Sequence, residues 1–371
     1  MNNSSNKLDL NLIFTIFFLL FFGLIMIASA GVGYSENRFG DPYYFFKHQL
    51  FFGVIPGLVA FYLAQKIKYN FWKKIAFPLF ALSIIFLILV FIPGFGTKIY
   101  GASRWLKLGS FSFQPAEMLK LSIIVYLAAW LEGRSEKVKD FYEGLIPFGI
   151  IVAIVSFLLI NQPDMGTLGI VILISISIFF ISGARIKHLF LVALIGLVSF
   201  FIMIRTESYR MDRFLVFLHP EIDPQGIGYQ INQALLAIGS GGIWGRGLGH
   251  SLQKFNYLPE PVGDSIFAII GEEFGFSGCV FLIFVFLFLG LKSVRIIQRA
   301  PDRFSKLVAT GVFSWIIFQT FTNIAAILGL IPLTGIPLPF ISYGGTSVIF
   351  LMVAVGILFN ISKYGENNNK K

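Results

Sequence analysis

Apolar runs long enough to cross a bilayer recur about ten times along these 371 residues, and few architectures are open to such a chain. Inside hydrocarbon every backbone N–H and C=O must be satisfied within the protein, so the runs must be helices. They cover roughly 11–31, 46–65, 72–92, 115–132, 144–160, 167–183, 187–204, 264–291, 306–331 and 342–362. Only 13% of the residues are charged and 56% are hydrophobic, whereas a soluble domain carries about a quarter charged. The expectation is an all-α polytopic membrane protein, with residues 1–371 forming one membrane domain and no soluble domain attached. The first run ends in Ala28-Ser29-Ala30, which mimics a signal-peptidase site. Its length and the runs that follow mark it as a retained anchor.

Ten spans put both termini on one side, and basic residues choose the side. With the termini inside, the inner segments hold 18 Lys and Arg and the outer ones 10, which favours cytoplasmic termini. That distribution accounts for most of the net charge of +10, so nucleic acid is not needed as a partner. Eight of the outer cations fall in two segments, 93–114 and 205–263. A cationic outer face suits an anionic headgroup such as a lipid phosphate or diphosphate, and it equally suits ordinary solvated loops. Residues 205–263, between spans seven and eight, form the one substantial loop outside the membrane. It is expected to hold a turn at Pro220–Pro224 and an amphipathic helix over Tyr229–Ile238. The polar tail 364–371 reads as disordered. Cys279 is the sole cysteine, so no internal disulfide is possible, and His48, His188, His219 and His250 show no metal-ligand spacing. Neither a zinc nor a haem site follows.

The residues that bear chemistry concentrate at span ends. In Lys254–Gly275, KFNYLPEPVGDSIFAIIGEEFG, a loop runs into an apolar helix with Asp264 at the junction. A carboxylate there needs a cation, a donor or a task, and capping the helix is the plain alternative. Glu272 lies roughly 80° from Asp264 on an unbroken helix and is the better neighbour of the same cavity; Glu273 falls on the opposite side and suits a pairing with another span. Glu117 and Lys120 stack at i, i+3 near the start of the fourth span, as an interfacial pair or as the lining of a substrate cavity. Before them, GASRWLKLG presents Arg104, Trp105 and Lys107, suited to anchoring the loop at the interface or to binding phosphate. GSGGIWGRGLGH, Gly239–His250, carries six glycines in twelve residues, either as a phosphate-binding nest or as a hinge. The uncharged run Leu330–Ser347 is expected to pack into the bundle as a cap or lid, because irregular backbone at membrane depth must be covered.

Taken together, GASRWLKLG…FQPAEMLKL, NQPDMGTL, the Tyr209–Arg213 cluster through DPQGIGYQINQALLAIGSGG, YLPEP…DSIFAIIGEEFG and IPLTGIPLPFISYGGTS resemble the SEDS family of shape, elongation, division and sporulation proteins. The resemblance runs from about Gly31 to Ser362 and is nearer to division-type than to elongation-type members. It implies ten spans with a large fourth outer loop. It also implies a peptidoglycan glycosyltransferase that polymerises lipid II outside the cytoplasmic membrane, working with a class B penicillin-binding protein and other divisome membrane proteins. The family's catalytic aspartate falls on Asp264, its membrane Glu and Lys on Glu117 and Lys120, and its loop Arg and Trp on Arg104 and Trp105. Val262-Gly263 stands where many members have His-Thr, Ser265 where many have Phe, and His219 where Asp is frequent. On this reading Arg104, Lys107, Arg210, Arg213 and Arg246 are candidate diphosphate clamps. A divalent cation (Mg or Mn) is compatible with the reaction, but no ligand set demands one. A lipid II flippase and a non-catalytic divisome scaffold are the rival readings.

Overall fold

The computed structural model describes residues 10–99, 102–108, 111–206, 208–219 and 223–368. Fifteen helices are described: α1 (Leu10–Ala30), α2 (Val32–Phe39), α3 (Tyr44–Gln49), α4 (Ile55–Lys66), α5 (Tyr69–Lys74), α6 (Ala76–Leu89), α7 (Pro115–Glu132), α8 (Ile146–Asn161), α9 (Met165–Ile181), α10 (Ile186–Thr206), α11 (Ser208–Leu218), α12 (Tyr229–Ser240), α13 (Ile266–Gln298), α14 (Arg303–Ile327) and α15 (Gly345–Asn368). A π-turn at Leu50–Val54 fuses α3 to α4. Each of the ten apolar runs coincides with a helix. Seven of these are long and apolar enough to cross a membrane: α1, the Tyr44–Lys66 unit, α8 with its preceding turn, α10, α13, α14 and α15.

Local chemistry sets the ends. Pro115 opens α7, where its missing N–H costs nothing. Asp302 and Ser305 form a reciprocal capping box on α14, with Ser305 N donating to Asp302 Oδ1 at 2.8 Å. α14 is the hub, packed on α7, α9 and α13: 72% of its apolar stretch is buried, against 6% for the peripheral α10. α1 belongs to the core through Leu12, Leu19 and Met26, each fully buried.

Three features depart from the sequence reading. The 93–114 segment is not helical or coil throughout but carries an antiparallel sheet, β1 (Gly96–Ile99), β2 (Ala102–Leu108) and β3 (Phe111–Phe113), with Thr97 opposite Trp105 and Lys107 opposite Ser112. The tail expected to be disordered continues α15 to Asn368. Gly365 lets it lie against Arg299 O, which a Cβ would approach to 2.3 Å. Residues 369–371 lie outside the described residues, as do 220–222 of the expected Pro220–Pro224 turn. Third, α13 is broken at Gly275 (φ 68°, ψ −167°).

The break explains the glycines of 239–250. Arg246 N and Gly247 N donate to Glu272 O and Glu273 O, while Phe276 N and Ser277 N donate to Gly242 O and Ile243 O. The loop thus supplies the backbone partners that the interrupted helix has lost. Such contact needs bare backbone: a Cβ on Gly245 would sit 2.2 Å from Glu273 O, and one on Gly241 2.0 Å from Gly271 O. These N–H groups are spent on α13, so the phosphate-nest reading is not supported for them.

Candidate active site

The site lies at the bundle end shared by the start of α7, the start of α9, the end of α14 and the start of α13. The 330–344 segment fills it as expected of a cap, with Leu338 and Ile341 buried and its backbone held by side chains. Ser342 Oγ donates to Gly263 O at 2.7 Å, and Tyr343 N donates to Val262 O at 2.8 Å. The unusual Val262-Gly263 pair therefore meets this segment through main-chain carbonyls, which any residue supplies.

Asp264 is half-buried just ahead of α13, whose N-cap position is Ser265. Among the described residues, only Gln230 of α12 donates to its carboxylate from another side chain, reaching both oxygens at 3.4 Å. The same amide donates to Ser265 Oγ at 3.1 Å, so the unusual serine becomes part of this contact. Capping is thus not the task of Asp264. Burial pushes its carboxyl up to about 6; the Glu260 carboxylate adds to the rise, while Gln230 and the Arg213 charge oppose it. A carboxylate raised in this way accepts a proton more readily than a free one.

The expected cations divide. Arg213 donates to Leu333 O at 3.0 Å and borders an apolar cavity of about 100 Å³ together with Phe217, Ile231 and Leu328. Its charge acts on Asp264. Arg210 donates to Met203 O at 3.2 Å, on the α10–α11 junction. Arg104 is committed to main chain, with Nε donating to Gln162 O at 3.2 Å and Nη2 to Pro163 O, which ties the sheet to the turn before α9. Trp105 is half-buried beside it and Lys107 is exposed.

Arg246 lies 3.7 Å from Glu272, whose carboxylate also accepts from Ser251 Oγ at 2.5 Å and Leu252 N at 3.0 Å. Glu272 therefore pins the 251–253 loop, and nothing in its contacts joins it to Asp264. Glu273 pairs with Lys254 at 2.9 Å and accepts from Ser29 of α1 at 2.6 Å, the pairing with another span that its helix position implied.

Glu117 and Lys120 form an ion pair at 2.8 Å with each side chain 2% exposed. Lys120 also donates to Gln319 Oε1 at 2.8 Å and lies 4.9 Å from the centre of the Trp315 ring. The pair is interior, not interfacial. Sequence reasoning missed Gln230, Gln319 and Asn323, isolated amides in apolar or amphipathic stretches. Buried amides in a span are themselves a signal, since each must find partners. Among the described residues no group of three or more His, Cys, Asp or Glu side chains converges to hold a metal ion.

A polar site at one end of a helical bundle, built around one half-buried carboxylate, marks a multi-pass membrane protein with a chemical task at the bundle's edge. Residues 10–367 match the family model described as "Cell cycle protein", which takes in FtsW, RodA and SpoVE, and the chain belongs to that family. It is 40% identical over 366 residues to stage V sporulation protein E of Bacillus subtilis, covering 99% of this chain and 100% of that one. It is 39% identical to the probable peptidoglycan glycosyltransferase FtsW of Geobacter sp. (strain M18), covering 92% and 93% of the two chains. A chain from a solved peptidoglycan synthase complex, described as coordinating polymerization and crosslinking, superposes with a TM-score of 0.79 at 26% identity over 97% of this chain and 98% of that one. The rod shape determining protein RodA of Thermus thermophilus gives a TM-score of 0.70 at 26% identity, covering 97% and 98%.

Proposed function

We propose that this chain is a peptidoglycan glycosyltransferase that polymerises lipid II into β-1,4-linked glycan strands in septal wall synthesis, with Asp264 as its base. The observation that carries the reading is the environment of Asp264: a carboxylate at the end of the bundle, held by Gln230, raised by burial and by the neighbouring Glu260, and opposed by the charge of Arg213. One carboxylate suffices because the donor sugar leaves as a lipid diphosphate, which needs charge stabilisation more than a proton. Asp264 takes the proton of the acceptor's 4-hydroxyl. The oxygen attacks the donor's anomeric carbon, and the bond to the diphosphate breaks with its electron pair leaving on the diphosphate. Attack from the far side inverts the α-linkage to β. Arg213, whose charge acts on Asp264, is the best-placed clamp for the leaving diphosphate, Arg210 and the exposed Lys107 are further candidates, and Arg104, Trp105, Arg246 and Glu272 serve as framework.

The reaction lies at the outer face of the bacterial cytoplasmic membrane, with ten crossings, both termini cytoplasmic and 205–263 outside, as the basic residues and the ten helical runs support. The whole of 1–371 acts as one membrane domain, working with a class B penicillin-binding protein transpeptidase and other divisome membrane proteins. The Glu117–Lys120 pair gives the flippase reading no support, being sealed by Gln319 and Trp315. Asp264→Asn keeps the side-chain shape but cannot accept the proton. Purified with its partner and given labelled lipid II, it is expected to fold normally and to lose about a hundredfold or more of chain formation on gels. Chains formed at close to the unmodified protein's rate would overturn the assignment.

A further inference from the structure

Trp315, Gln319 and Asn323 stand one turn apart on one face of α14, all with side chains buried to within 1%. Gln319 Oε1 accepts from Lys120 Nζ at 2.8 Å and from Trp315 Nε1 at 2.7 Å, while its Nε2 donates to Pro337 O at 2.9 Å. One turn on, Asn323 Nδ2 donates to Asp264 O and to Ile336 O, each at 2.8 Å. A continuous set of polar contacts therefore runs from the Glu117–Lys120 pair on α7, through Gln319, to the 336–337 main chain. From there it passes through Asn323 to the main chain of Asp264.

Among the described residues, the Asp264 carboxylate accepts from another side chain only through the 3.4 Å contacts from Gln230, so its position is set mainly through its backbone. Asn323 ties that backbone to the facing segment, one residue on from the Ser342 Oγ–Gly263 O bond. Gly335 directly precedes the two anchored carbonyls, and a Cβ there would be 3.9 Å from Asp264 Oδ2, so a shift of this segment moves a wall of the site. Proton abstraction requires reach of about 2.6–3.2 Å, and a misplacement of about 1 Å costs on the order of a hundredfold in rate.

We propose that Gln319 and Asn323 are positioning residues for the transfer, and that the buried Glu117–Lys120 pair acts through them rather than by touching substrate. The proposal rests on Asp264 being the base. The α7 pair fixes the Gln319 amide so that its oxygen faces Lys120 and its N–H faces Pro337, and the two amides then clamp the 336–337 carbonyls against Asp264. The Gln319 amide accepts at one end and donates at the other, a pairing that a Met side chain in its place cannot reproduce.

The test compares Asn323→Ala, Gln319→Met, Lys120→Met and the Lys120→Met/Gln319→Met double variant with the unmodified protein, in complex with its partner and over a range of lipid II concentrations. In parallel, Thr334→Cys in a Cys279→Ser background reports thiol labelling of the clamped segment. Expected are a kcat lower by roughly tenfold to a hundredfold, a KM within about twofold, faster labelling at position 334, and a double variant no slower than Gln319→Met alone. Should Asn323→Ala fail to fold, Asn323→Ser keeps one donor and should fall between it and the unmodified protein. A raised KM with kcat unchanged would make the pair a substrate lining and overturn the proposal, as would unchanged labelling or losses that multiply in the double variant. Asp264→Asn in the same assay separates the two readings. If it still makes chains, the base assignment falls, while the labelling independently judges whether the amides hold the segment.

Discussion

Replacing Lys254 by Met should expose how much the Gly275 break depends on one buried cation. Its ammonium is 3% exposed and donates to Glu273 Oε1 at 2.9 Å, to Gly249 O at 2.7 Å and to Ser29 Oγ at 3.2 Å. Glu273 is fully buried, and its Oε2 already lacks a protein partner. Removing the cation leaves a carboxylate with Ser29 as its remaining donor, a loss of the kind that costs about 3–5 kcal/mol. An unfolding entropy of about 2.1 cal/mol/K per residue over 371 residues makes that a fall in Tm of roughly 4–6 °C. Cys279, the sole cysteine and buried, supplies the assay: a thiol-reactive dye reports its exposure during a slow thermal ramp in nanodiscs. Adding Glu273→Leu removes the stranded charge and should return the melt to within about 2 °C of the unmodified protein. A double variant that melts at the sum of the two single losses would refute the argument, because the two groups would then not interact.

Chain formation should rise with pH through about 6 as Asp264 gives up its proton, a limb absent from Asp264→Asn and measurable as kcat against pH. The sign for stability is opposite. A carboxyl raised from 3.8 to about 6 in the folded state contributes stability that is full below 3.8 and lost as pH rises past about 6, so Asp264→Asn should melt above the unmodified protein at pH 7. Gly275→Ala should prevent accumulation of folded protein, since its Cβ would lie 2.3 Å from Gly245 N at a φ of +68°; Gly239→Ala, with nothing within 4 Å, should melt normally. A Cys at Gln225 should react with an impermeant reagent in intact cells while one at Asn368 does not, in a Cys279-free background; the reverse pattern would invert the orientation.

Hydrophobic length made the helices legible: every apolar run is a helix, with ends displaced by a few residues. The break in α13 was not legible, because what stabilises it comes from Gly242–Gly247, and no local pattern around Gly275 announces that partner. The sheet escaped for a similar reason, its strands being as short as Phe111–Phe113. Asp264 and the Glu117–Lys120 pair were readable because charge in an apolar setting is costly and so conspicuous. Glu272 was read as a cavity neighbour on helix angle alone, and its loop partners at 251–253 redirect it. Gln319 and Asn323 carry no charge, so they drew no notice, though their spacing with Trp315 marks one face of α14.

The break at Gly275 also bears on how the protein meets bilayers of different thickness. A straight helix of 33 residues measures about 50 Å, far more than a hydrocarbon core of about 30 Å. Ile266–Ile270 are sheathed in protein, whereas Phe276, Phe281, Phe284 and Leu291 face outward at 57–68% exposure. The outward stretch from Phe276 to Gln298 spans roughly 34 Å, which is the length the lipid has to match. Hydrophobic mismatch therefore acts on that stretch, while the short piece ahead of the glycine stays covered by protein. The surroundings of Asp264 thus lie apart from the lipid-facing stretch, and polymerisation should vary little between short-chain and long-chain phosphatidylglycerol membranes.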